Sequence, residues 1–476
     1  MTNLPKEELL PYINGSWDYQ NDNYRIEKNY SPLDGKLACT YRIYEDDQTV
    51  NYICNTSYSA YEKWKVKSKI EKIEYISLLI KNIIKYKKEL ISTITRDTGI
   101  VKLRAEEEVK HAISLLENTI HLEYIDEPYN LSIDGITNSI EKVPYGVVIW
   151  IMSWNSPLSG LCKIIYPLLT GNSVILKVSQ NMPLCAYLFS RIIHECEFPK
   201  GLINIVWDDN GYLTQKLVKN RWIGKIAFTG SNSVGRSILI ENLKQHLRPS
   251  FMETGGTGIQ IIDEKSDEIE NIFPHIFWGA LTLNGQVCCA GTIILVHESK
   301  YKNVIQEFAN TLSSLDIKEY LGPLISEQHL IKIENHFKKL QENNYKNLEL
   351  EIYKPNNGYY YTPKILLHND LNSAEIPFDV FGPLITIIKY KERNQIIEKL
   401  KCIENGLAIS IYTTDDDWFN YAKNNLDFGT IWRNGYYQSN EISPFGGMKS
   451  SGYGREKGIF GLSEFTQFKN VAVNNV

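Results

Sequence analysis

Between Gly146 and Ile262 the chain repeats one device: a short apolar run, a break, a helical stretch, another run. The runs are GVVIWI (146–151), SVILK (173–177), LINIV (202–206), KIAFT (225–229) and GIQII (258–262). Each reads as a buried strand. Helical segments separate several of them, such as the one opened by Asn181 and Pro183 and closing near Cys196, and a second over 234–246. Strand–helix alternation of this kind predicts a parallel α/β sheet. A second α/β region begins at about Met252. It holds a helix over 269–283 and strands at TIILV (292–296), LITII (384–388) and LAISIYT (407–413). Upstream, helical patterns fill the first hundred residues after YINGSW (12–17). They run over 55–65, 69–97 (ending near Gly99) and about 102–124. The stretch 465–476 reads as a strand after the glycine-rich PFGGMKSSGYGRE (444–456). It is either an ordinary edge strand or one that pairs with a neighbouring subunit.

With 476 residues the chain is long enough for two or three domains and a core that needs no staple. A net charge of −5 gives no general attraction to nucleic acid or anionic membrane. The first residues, MTNLPKEELLPY, lack a basic start followed by an apolar run, so no signal peptide is expected. The most apolar region, 143–169, is interrupted by Pro144, Asn155, Pro157, Lys163 and Pro167, which argues against a membrane span. Eight cysteines include one adjacent pair and no CxxC. Neither a zinc site nor a disulfide framework is expected, no metal is expected, and a reducing, cytoplasmic compartment is.

Four short motifs carry chemistry, each with a plainer reading beside it. In NGQVCCAG (284–291), Cys288 follows a helix and a Gly-Gln turn, where a thiol can face a cleft. Free cysteine is also among the most buried residue types. Cys289 is expected to point elsewhere, so that at most one of the two acts. FTGSNSVGR (228–236) passes from strand to helix, and a helix N-terminus offers N–H groups to a phosphate. The same stretch is an ordinary strand-to-helix turn. METGG (252–256) sets Glu253 before a glycine pair, as a general base or as an exposed carboxylate. WNSP (154–157) ends a strand, with Asn155 either donating to a developing oxyanion or serving the turn. Lys177 ends SVILK and either reaches a ligand or is solvated.

Taken in order, YINGSW, WNSPL, GNSVILKVS, FTGSNSVG, METGG, NGQVC, FGPLI (381–385) and PFGGMKSSGYGREKG (444–458) resemble the aldehyde dehydrogenase superfamily over nearly the whole chain. The resemblance implies an α/β fold with a Rossmann-like cofactor domain, an α/β catalytic domain and a β-strand oligomerisation arm. The corresponding ranges are 1–250 with an oligomerisation segment near 123–140, 251–430, and 431–476 returning to the cofactor domain with a C-terminal strand. It implies oxidation of a small aldehyde to a carboxylic acid with hydride transfer to NAD or NADP, NAD being preferred, by a homodimer or homotetramer. It makes Cys288 the nucleophile that passes through a thiohemiacetal and a thioester, Glu253 the base for water, and Asn155 an oxyanion donor. Cofactor binding falls to Trp154, Lys177, Ser179, Gln180, Gly230, Ser231, Gly255, Asp379 and Phe381. Lys177 serves the adenine-side ribose, and Phe381 the nicotinamide.

The chain departs from the family at several places. Gln180 stands where the family usually has the glutamate that accepts from the adenosine ribose, so NADP stays open. Asp379 replaces a glutamate one methylene longer. Thr257 stands in place of the usual lysine, and Ile293 in place of the usual arginine. The lysine that usually follows Asn155 falls on Ile164, with Lys163 one residue early. The mouth of the pocket is expected near Ser156, Gly160, Lys163, Thr282 and Val287, where Lys163 would favour an acidic aldehyde unless it is solvated. A CoA-acylating enzyme and a decayed homologue that binds without catalysing are the alternatives. The presence of Glu253 argues against the first.

Overall fold

The computed structural model describes residues 8–122, 128–133, 136–256, 258–377, 380–438 and 440–474. The expected apolar runs become the strands of two largely parallel sheets. Their residues are continuous hydrophobes because helices cover both faces, so neither face needs to be polar. The first sheet has six strands in the spatial order Gly452–Tyr453, Ser250–Thr254, Ile223–Gly230, Val147–Ile151, Ser173–Val178 and Ile203–Trp207. All but the short first strand run parallel. The second has seven, ordered Lys346–Leu348, Lys364–His368, Leu384–Tyr390, Ile293–His297, Ile259–Ile262, Ala408–Tyr412 and Thr430–Arg433, and only its first pair is antiparallel.

Three expectations for the N-terminal third need correction. The region after YINGSW is not wholly helical: Tyr24–Tyr30 and Leu37–Tyr44 form an antiparallel pair. Its sequence hides it, because the exposed side carries Tyr24, Ile26 and Tyr30 with Lys28, while the charged Arg25 and Glu27 lie on the half-buried side. The helix expected over 55–65 begins earlier, at Asp47, with the Asp46 side chain capping it through the Thr49 N–H. The helix expected over 69–97 is two, Lys69–Lys85 and Lys87–Thr98, broken at Tyr86, where ψ rotates to 5°. Ser68 and Glu71 form a capping box at the start of the first. Gly99 ends the second at φ 74°.

The C-terminal strand Thr466–Asn474 pairs antiparallel with Ile136–Pro144 of the same chain. Tyr129–Ile133 completes a three-stranded sheet outside both cores. Residues 123–127 and 134–135 of the expected arm lie outside the described residues. Thr466–Asn474 is the free edge of this sheet and is exposed along nearly its whole length. Among the described residues no helix is long and apolar enough to cross a membrane.

Candidate active site

In a parallel sheet the loops that leave the carboxyl ends of the strands form a shared crevice, deepest where the chain order reverses. In the six-stranded sheet that point lies between Val147–Ile151 and Ile223–Gly230. Trp154 and Asn155 follow the first of these strands. Gly230 and Ser231 close the second, Lys177 and Ser179 sit at the end of Ser173–Val178, and Glu253 lies near the end of Ser250–Thr254. The expected residues therefore converge on one edge.

Cys288 enters from the other sheet. The helix Ile269–Leu281 ends in a turn whose residues Leu283, Asn284 and Gly285 have φ of 51°, 56° and 72°. Three left-handed residues in succession are costly and persist only where the surroundings fix them. The Asn284 side chain donates to Gly322 O at 3.1 Å. Gln286 donates to Pro323 O at 3.2 Å and accepts from Ile325 N at 2.9 Å. A Cβ on Gly285 would stand 2.5 Å from Gly382 O, so the close approach requires glycine. The anchored turn delivers Cys288, half-buried, beside Asn155. The Asn155 amide spends one N–H on Gln286 O at 3.2 Å, and its oxygen accepts from Ser153 Oγ at 2.8 Å. Its second N–H is left for a ligand.

Cys289 is buried, whereas Cys288 is half-buried. Residues 287–290 form a turn, closed by Ala290 N donating to Val287 O at 3.0 Å, so successive side chains do not alternate as in a strand. The neighbouring Cys289 thiol holds the Cys288 pKa below that of an ordinary thiol. Lys163 and the Cys289 N–H add to this, against burial and the Glu456 charge. The Cys289 pKa rises, through the neighbouring Cys288 and through burial. Cys289 otherwise packs with Leu407, Ala408, Trp432 and Tyr436.

Glu253 is buried, and its pKa lies well above the carboxylate range through burial, then the charges of Glu456 and Cys288; Lys163 and Arg455 oppose the rise. One carboxylate oxygen has no hydrogen-bond partner among the described residues. Lys163 is neither solvated nor free for an acidic ligand. Its ammonium pairs with Glu456 at 2.6 Å, and both side chains are nearly buried. Burial disfavours the Lys163 charge, but Glu456, with smaller contributions from Glu253 and Cys288, holds its pKa above the ordinary value. Ile164, where a count from Asn155 places the family lysine, lies fully in the core. Two short helical turns, Ser159–Cys162 and Ile165–Leu169, flank Lys163 and aim it at the site instead. Removing Lys163 would strand a buried Glu456 charge, a loss of roughly 3–5 kcal/mol. The expected result for Lys163→Met is a lower denaturation midpoint, partly restored in Lys163→Arg; an unchanged midpoint would show that the pair adds nothing.

The cofactor-binding candidates lie along the same edge. Ser231 caps the helix Asn232–Leu243, accepting from Val234 N at 3.4 Å, and the first N–H groups of that helix have no partner within it. A Cβ on Gly230 would meet the Phe228 ring at 2.6 Å, which keeps the strand-to-helix passage tight. Gly255 O accepts from Ser451 Oγ at 3.2 Å. Lys177 makes no hydrogen bond or ion pair among the described residues. Burial lowers its pKa, with Asp208 opposing. The buried Ser179 hydroxyl accepts from Asn181 N at 3.2 Å, and the Gln180 carbonyl accepts from Asn29 at 3.2 Å. Trp154 and Phe381 meet edge to face at 6.0 Å. Phe381 is strained at φ 52°, and His329 Nε2 donates to its carbonyl at 2.8 Å. Burial pushes the His329 pKa down to about 4, so the imidazole is neutral and holds this bond throughout the neutral range. Asp379 and Thr257 lie outside the described residues.

Of the expected pocket mouth, Gly160 lies against Met152 and Ser156, Thr282 Oγ donates to Trp278 O at 2.7 Å, and Val287 packs with the Cys289 cluster. Glu456, Asp208 and His329 were not assigned from the sequence. Glu456 stands inside a motif already quoted, whereas Asp208 follows an ordinary strand end and His329 lies in the first turn of the helix Glu327–Glu342, and both acquire meaning only from what packs on them.

Among known proteins, the model of the aldehyde dehydrogenase family matches residues 19–471. The mitochondrial aldehyde dehydrogenase of Sus scrofa is 32% identical over 354 residues, 72% of this chain and 67% of that protein. D-glyceraldehyde dehydrogenase (NADP(+)) of Picrophilus torridus is 26% identical over 478 residues, 97% of this chain and 96% of the relative. The solved structure of PnpE from Pseudomonas sp. WBC-3 superposes with a TM-score of 0.92 at 26% identity, covering 98% of each chain. PnpE has also been solved with nicotinamide adenine dinucleotide.

Proposed function

Starting from the chain's membership of the aldehyde dehydrogenase family, enzymes that oxidise aldehydes with NAD(P), we propose that Cys288, Glu253 and Asn155 carry the reaction here. The observation that carries this reading is a thiol held toward its thiolate, within electrostatic reach of a buried carboxylate that keeps one oxygen unpaired. The Cys288 thiolate attacks the aldehyde carbon, and the free Asn155 N–H receives the developing oxyanion. A dinucleotide held by Trp154, Lys177, Ser231 and Phe381 would supply the hydride acceptor. What remains on the enzyme is a Cys288 thioester. Glu253 takes a proton from water, which attacks the thioester and releases the acid and the thiolate. The Lys163–Glu456 pair sits beside Glu253 and moderates the change of charge as the proton arrives.

The residues fit a dinucleotide. The unpartnered Lys177 ammonium faces the adenosine end, the capped helix after Ser231 faces the pyrophosphate, and the edge-to-face Trp154–Phe381 pair walls the nicotinamide end. In this reading the six-stranded sheet is the cofactor unit and the seven-stranded sheet the catalytic one. The exposed strand Thr466–Asn474 is the surface by which the chain forms a homodimer or homotetramer in the cytoplasm. The test is absorbance of the reduced nicotinamide, with NAD and NADP separately, over aliphatic, aromatic, cationic and acidic aldehydes. Reduction that depends on aldehyde is expected. Silence with both cofactors, together with no binding of either, would overturn the reading.

A further inference from the structure

The strand pair Tyr24–Tyr30 and Leu37–Tyr44 packs where the adenosine end of the cofactor would lie. Asn29 Nδ2 donates to Gln180 O at 3.2 Å, and the Tyr41 ring meets Trp207 at 5.7 Å. Trp207 ends the strand next to Ser173–Val178, with Val178 paired to Trp207 and Lys177 to Val206. The next residue, Asp208, is buried. It accepts from Gly211 N at 3.0 Å and Thr214 N at 2.8 Å, and its charge is felt by the unpartnered Lys177 ammonium. Beyond it, Asp209 is paired with Arg25 Nη1 at 2.9 Å. Arg25 is also held by Glu45 at 2.8 Å and by Glu27, and Asn210 donates to Glu45 at 2.7 Å.

We propose that Asp208, together with the rim of Asp209, Glu45 and Glu27 that occupies Arg25, makes this site select NAD over NADP. The assignment rests on the reading of Lys177 as the residue at the adenosine ribose. The two dinucleotides differ only at the ribose 2′ position, a hydroxyl in one and a phosphate of about −1.5 to −2 charge in the other. An acidic side chain at the end of the second strand of such a sheet accepts from the hydroxyl and repels the phosphate, whereas a free arginine does the reverse. Here Gln180 has given up the neighbouring negative charge, and Asp208 supplies one from the adjacent strand end. Arg25 could answer a phosphate here, but Glu27, Glu45 and Asp209 already engage it. A 2′-phosphate brought to this group of carboxylates meets charge of its own sign.

The test is calorimetric titration of the whole enzyme with NAD+ and with NADP+ at low salt. NAD+ should bind at least tenfold more tightly, and the gap should narrow as salt screens the rim. Asp209→Asn, which removes one charge and one of the three carboxylate partners of Arg25, should tighten NADP+ binding at least threefold and leave NAD+ within twofold. Asp208→Asn should act in the same direction. It also weakens the cap of the helix Tyr212–Lys219, so Asp209→Asn is the cleaner variant. NADP+ binding as tight as NAD+, or a ratio unchanged in both variants, overturns the proposal alone. Binding of neither dinucleotide overturns it together with the cofactor reading beneath it.

Discussion

Cys288→Ala lowers aldehyde-dependent reduction of the dinucleotide by at least about 10⁴-fold, the scale on which removing a covalent nucleophile acts. Dinucleotide affinity stays near the wild-type value, because Cys288 is held by its own turn and the cofactor by the other sheet. Cys289 does not take over: its pKa is raised by the neighbouring Cys288 and by burial, and it is packed against Trp432 and Tyr436. Its role is indirect, and Cys289→Ala reports it. Without the neighbouring thiol, the Cys288 pKa rises, and the pH at which iodoacetamide alkylates Cys288 moves upward. Stopped-flow alkylation measures the shift. An alkylation profile unmoved in Cys289→Ala would remove Cys289 from the activation of the nucleophile, and substantial turnover in Cys288→Ala would remove Cys288 from the reaction.

The second large effect concerns Glu253→Gln. Hydride transfer precedes the step that needs a base, so the first turnover survives. A burst approaching one reduced dinucleotide per Cys288 is followed by a steady rate about 10²–10⁴-fold lower, the usual contribution of a general base. Rapid-mixing absorbance separates the two phases; equal loss in both would sink the assignment. The pH dependence has a definite sign. Only ionised Glu253 accepts a proton from water, and burial with the Glu456 and Cys288 charges raises its pKa. Deacylation therefore grows as pH rises through a range above that of ordinary carboxylates, and that rise vanishes in Glu253→Gln.

The large parallel strands were legible because burial on both faces leaves mostly apolar residues, as in Val147–Ile151. Tyr24–Tyr30 was not: it puts Tyr24, Ile26 and Tyr30 on the open side and charged Arg25 and Glu27 on the half-buried one, and its partner lies beyond a turn. The break at Tyr86 carries no glycine or proline to announce it. At the site, ordered motifs led to Cys288, Glu253 and Asn155. The count from Asn155 falls on Ile164, in the core, while its neighbour Lys163 pairs with Glu456. The direction of Cys289 depended on whether residues 287–290 form a turn or a strand, which the sequence CC leaves open. Asp208 becomes informative only once the first hairpin is seen to lie over it.

Lys163 and Glu456 meet across 293 positions, and Asn470 reaches Asn138 across 332. During translation, residues 444–474 leave the ribosome long after both sheets have most of their strands. Until then Glu253 lacks the Gly452–Tyr453 strand that covers it, and Ile136–Pro144 lacks its partner. Closing such long loops is the slow, entropically opposed part of folding. A nascent chain is thus a nearly complete dinucleotide fold with an unfinished catalytic pocket, and reactivity at Cys288 arrives with the last segment rather than with the first domain.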